Sequence, residues 1–159
     1  MKQISHTILV CCSLFLLSGC SEYWWTRGQP PGVEQLVARS QQRLHDARQA
    51  RSAAREDVAA ASERVEKSLL TTLEIVAQDA RDGRVLEQLQ SATDGFLALE
   101  GKLSVGSRAA YGELAGQMRS FSQAASEGKG IGQSTFGLFT ARTLFFLANE
   151  LRVPPPSVG

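Results

Sequence analysis

VEQLVARSQQRLHDARQARSAAREDVAAASERVEKSLLTTLEIVAQDARD, residues 33–82, holds neither glycine nor proline and is rich in Ala, Arg, Gln, Glu and Leu. Such residues favour helix, and Gly83 supplies a stop, so the composition predicts one helix over 33–82. At 1.5 Å per residue it would reach about 75 Å, long for a small domain. Val37, Leu44, Ala47, Ala54, Val58, Ala61, Val65 and Leu69 follow a seven-residue pattern, the spacing by which helices wind around a partner helix. Arg51 falls on this seam and is expected to cost stability unless its stem snorkels to the edge. Small alanines between 47 and 61 allow a close neighbour but bury little area.

The other faces of this run carry charges of both signs, among them Glu63 and Lys67 at helical spacing. The plain reading is a solvated face. The functional alternative is a partner-binding surface, with Arg43, Arg48, Arg55 and Arg64 as its candidate residues.

Downstream, three shorter helices are predicted. Val85, Leu86, Leu89, Phe96, Leu97 and Leu103 mark one over 85–103, and Tyr111, Leu114, Met118 and Phe121 mark another over 107–127, with Ser107 as its N-cap. Gly112 and Gly116 fall four apart on the latter and read as local packing rather than a dimerisation cue. Phe136, Leu138, Phe139, Leu144, Phe145, Phe146 and Leu147 mark the last, over 135–151. Apolar residues around most of its circumference predict burial on several sides and a core-nucleating role, or else a surface that covers a lipid or a partner. Its length, with Arg142, Asn149 and Glu150, argues against a membrane span. The fold class is therefore all-α: a helical hairpin or coiled-coil-like bundle, ending in a proline-rich tail at 153–159.

Gly128-Lys129-Gly130-Ile131-Gly132-Gln133-Ser134-Thr135 superficially resembles a phosphate loop. It lacks a preceding strand and a Lys followed by Ser or Thr, so it reads as an interhelix loop.

At the N-terminus, Lys2 precedes an apolar run from Thr7 to Leu17, too short to cross a bilayer and followed by small residues. Residues 1–19 read as a signal peptide that is removed. Leu17-Ser18-Gly19-Cys20 resembles the lipobox of bacterial lipoproteins. That resemblance implies a diacylglyceryl group on the Cys20 thiol and, after cleavage, an N-acyl chain such as palmitate, with no other cofactor. Two or more chains give stable anchoring, at about 0.8 kcal/mol per buried methylene. Ser21, rather than the aspartate that such lipoproteins use for inner-membrane retention, implies the periplasmic face of the outer membrane. Tyr23, Trp24, Trp25 and Arg27 suit the lipid–water interface, although the aromatics could equally pack on the protein's own helices. Residues 20–32 thus form a lipidated segment closed by the Gly28-Gln29-Pro30-Pro31-Gly32 spacer, and 33–152 the helical domain.

With the signal removed, Cys11 and Cys12 are lost and Cys20 is acylated, which leaves no thiol for a disulfide. Removal of Lys2 from 17 basic residues leaves 16 against 16 acidic ones, so nothing in the charge balance seeks nucleic acid. His45 is then the sole histidine, poor material for a metal site or a nucleophilic triad, so a non-enzymatic protein is expected. In outline, a lipid anchor on a heptad helix is similar to the murein lipoproteins of enteric outer membranes. Those end in a lysine joined to the wall, whereas Ser157-Val158-Gly159 ends this chain, so wall attachment is not implied. The expected function is an envelope scaffold or adaptor for a periplasmic or membrane protein, with homo-oligomerisation through the long helix as an option. The alternative is a carrier that holds an apolar ligand, such as a lipid, within its bundle.

Overall fold

The computed structural model describes residues 32–153, which lie within one folded unit, Gly32–Gly159. Cys20, the interface candidates Tyr23, Trp24, Trp25 and Arg27, and the proline-rich tail beyond Val153 lie outside the described residues. The described residues form five α-helices: α1 (Val33–Gln49), α2 (Glu56–Gln78), α3 (Arg84–Leu97), α4 (Arg108–Ser126) and α5 (Gln133–Arg152). Short 3-10 turns occupy Ala53–Arg55 and Val105–Ser107, and no strand occurs among the described residues. The fold is an all-helical bundle.

The glycine-free run is two helices, not one. It breaks at 50–52 and folds back: Val33 of α1 and Leu73 of α2 both lie beside Gly137, while the elbow joins their other ends. No helix-breaking residue causes this. A straight rod of about 75 Å would find partners only about 20–30 Å long in α3, α4 and α5, leaving much of its apolar seam in water. The elbow halves the rod so that both parts are covered. Side chains replace the helical bonds lost there: Arg51 Nη1 donates to the Arg48 carbonyl at 2.5 Å, and the Arg51 guanidinium pairs across the break with Glu56. Arg51 therefore sits at a helix end rather than on a coiled-coil seam. Past the break the helical phase shifts, so Ala54 is exposed and Arg55 is buried instead.

The other boundaries differ for local reasons. Asp79 turns extended at the end of α2, ahead of the expected stop, and Gly83 serves as the N-cap position of α3. The third helix ends at Leu97 rather than 103, because the chain turns through Gly101 at φ 82 while Leu99 and Leu103 still reach the core. The glycine-rich loop before α5 is pinned where the Ile131 N–H donates to the Ala80 carbonyl at 3.1 Å and the Ile131 side chain is buried.

In the bundle α5 is the central staple. It runs parallel to α1, with Val33 beside Gly137 and Arg43 beside Phe145, and it also meets α2, α3 and α4. Gly137, Ala141 and Ala148 are buried and share the side that faces α1, where small residues let the two backbones come close. Aromatic rings cluster at both ends of the core: Phe121, Phe136 and Phe139 near the start of α5, and Phe96, Tyr111 and Phe146 near its close. Five of these six rings lie on α5 or contact a ring of it, in line with its expected role in the core.

A methyl group at Gly137 would overlap Val33 Cγ1, so Gly137→Ala should cost about 1–3 kcal/mol through overpacking. Adding Val33→Ala should restore part of that loss, a non-additivity that urea unfolding of the single and double variants would measure.

Candidate functional site

At the elbow, three separate segments converge on two buried charges. Arg55 is 2% exposed and Glu150 1%. The Arg55 guanidinium donates to the Val153 carbonyl at 3.0 Å and the Lys102 carbonyl at 2.7 Å, and comes within 3.9 Å of Glu150. Glu150 in turn accepts bonds from the Ser104 N–H at 3.0 Å and from the hydroxyls of Ser104 and Ser107. Ser107 does occupy the N-cap position of α4, but its hydroxyl serves Glu150 rather than the helix end. Nearby, Lys102 pairs with Asp57 at 3.0 Å, and its hydrogen bond holds the Asp57 carboxyl below the usual range. This cluster ties the α1–α2 elbow, the α3–α4 connection and the end of α5 together. With Arg55 and Glu150 at its centre inaccessible to solvent, it is built to hold structure.

The four arginines proposed as a partner-binding face do not form one. Arg55 is in the core, which removes it from any surface. Arg48 also turns inward, bonding Ser62 Oγ at 2.9 Å and Glu66 at 2.5 Å to clasp α1 onto α2. Helical spacing alone could not reveal this, because the pairing is across the hairpin rather than along one helix. Arg64 remains exposed on α2, with its stem against α3 at Gly95. Arg43 remains exposed on α1, with its guanidinium 5.0 Å from the centre of the Phe145 ring.

A surface that the heptad reading overlooked lies on α5. Leu138, Arg142 and Phe145, four and three residues apart, form the stripe where that helix is not covered; Leu138 is 45% and Phe145 41% exposed. Beside it, α4 leans on α3 more than on α5, and a groove of about 480 Å³ opens between α4 and α5. Phe121, Leu138 and Phe139 give it apolar lining, and Gln117, Ser120 and Arg142 give it polar edges. Arg142 reaches across to Glu113 at 2.7 Å. The signal was present in the sequence, since only this stripe mixes large apolar residues with an arginine along an otherwise apolar helix. A second cleft of about 380 Å³ lies beside Tyr111 and Arg108, where burial pushes the Tyr111 hydroxyl above its usual range.

Among the described residues no group of three His, Cys, Asp or Glu could hold a metal ion, and no helix is long and apolar enough to cross a membrane. No protein-family model, curated protein or solved structure matches the chain. Its reading therefore rests on its own residues.

Truncating one partner of a buried charge strands the other, so Glu150→Ala should destabilise by about 3–5 kcal/mol. Combining it with Arg55→Met should recover a measurable part of that loss in denaturant midpoint. A Lys102→Ala variant should leave global stability nearly unchanged and raise the Asp57 titration midpoint toward the usual carboxylate value, as read by NMR.

Proposed function

We propose that this chain is a lipid-anchored, non-enzymatic envelope protein whose helical bundle acts as a scaffold or adaptor for a periplasmic or membrane protein. The observation that carries this reading is Leu17-Ser18-Gly19-Cys20 behind a short apolar run, set ahead of a body whose described residues form helices and the turns that join them. Cys20 carries the acyl chains, and Tyr23, Trp24, Trp25 and Arg27 meet the headgroup layer of the outer membrane on its periplasmic side. The protein works by contact. In support, the buried ionisable residues at the elbow are engaged in holding helices together, and the open groove beside α5 offers apolar surface to another molecule.

A second reading, a carrier for an apolar ligand such as a lipid, is favoured by one observation. Phe121, Leu138 and Phe139 line the same groove. Native mass spectrometry of the delipidated protein separates the two, because a carrier brings lipid through purification and an adaptor does not.

The anchor has a direct test. Replacing Cys20 with Ser should abolish incorporation of a labelled fatty acid and move the protein from the membrane to the soluble fraction. Persistent membrane attachment of that variant, or a wild-type protein without fatty acid, would overturn the reading.

A further inference from the structure

We propose that the trough between α4 and α5, continued along the outward stripe of α5 past Arg43 of α1, receives an amphipathic helix of the partner protein with Asp or Glu along its edges. This rests on the adaptor reading and names the site and the chemistry it would recognise. Leu138 and Phe145 lie two helical turns apart, about 10.5 Å, which is the spacing at which a docked helix presents successive apolar anchors. A recess between helices suits a rod better than a flat bilayer.

The charges select the edge chemistry. Arg142 rises from the floor between the two apolar residues, and Arg43 caps Phe145 on the α1 side. Arg39, one helical turn before Arg43, is exposed on the same edge of α1. Against Arg39, Arg43 and Arg142 stand Glu113, already engaged by Arg142, and Asp46, one turn past Arg43 and bonded by Gln42, so cations are in excess along the trough. An acidic-edged helix complements them and a basic-edged one is repelled.

The far wall is low for a reason the protein's own packing does not supply. Gly112 and Gly116 sit inside α4 at a cost in helix propensity, yet a side chain at either would meet nothing within 4 Å. Ser120 lines the groove and its hydroxyl donates to the Gly116 carbonyl one turn back, so the bare backbone there leaves room for a neighbouring helix to settle close. The expectation of local packing at this pair is thereby corrected: the space is open.

The test uses the mature chain with Cys20→Ser and two synthetic helical peptides of identical apolar face, one edged with Glu and the other with Lys. Calorimetry should show micromolar binding of the Glu peptide, weaker with added salt, and about tenfold weaker binding of the Lys peptide. Leu138→Glu should weaken the Glu peptide by about tenfold or more. Gly116→Leu should do the same while leaving the melting temperature equal or higher, so loss of folding is not the cause. Equal binding of the two peptides, indifference to both substitutions, self-association abolished by Leu138→Glu, or sedimentation with phosphatidylglycerol vesicles in place of peptide binding would each overturn the proposal. In cells, a photocrosslinker at Leu138 should capture a helix with acidic edges. Protein crosslinks at Arg64 but none at Leu138 would sink the trough assignment and spare the adaptor reading, whereas none at either position would sink both.

Discussion

Arg55 and Glu150 are two charges almost wholly removed from water, and the lower end of the bundle is arranged around the need to compensate them. Their direct approach, 3.9 Å, is long, so the pair is held mainly through intermediaries: two backbone carbonyls on the arginine, two serines and an amide on the glutamate. Because those groups come from the α3–α4 connection and from the chain just past α5, neither charge can be satisfied until distant segments have met. A nearly continuous helical run is thereby bent at a defined place. Burial of this kind is weak as a source of net stability and strong as a constraint on arrangement.

From that constraint follows the position of α5. With its end fixed to the elbow through Glu150 and Val153, and its start closed against Val33 by Gly137, the helix runs through the middle of the bundle with α1 alongside. Four helices surround it, but α4 is drawn toward α3 by the stacking of Tyr111 on Phe96. The stripe of Leu138, Arg142 and Phe145 is what remains uncovered. The surface offered for contact is thus a by-product of how the core closes.

Much of the fold was legible from residue order. Helix-forming composition, punctuation at the glycines and the apolar spacing of the last three helices located every later element within a few residues, apart from the early end of α3. The candidate site was far less legible. Arg48 and Arg55 look the same as Arg43 and Arg64 along the chain, since all are arginines on a densely charged run. What separates them is whether the hairpin brings a glutamate, a serine or a carbonyl to the guanidinium, and no periodicity within one helix encodes that.

Taken alone, the order of residues determined that the body is helical, where most helices stop, and that its charges are balanced, because propensity and apolar spacing act over one or two turns. It also placed a candidate lipid attachment point at Cys20. Only the tertiary structure decided that residues 33–82 fold back on themselves, which arginines are buried, and which side of α5 stays open. Those outcomes depend on matching helix lengths and on compensating buried charge across distant segments. Such terms exist only once the helices are assembled.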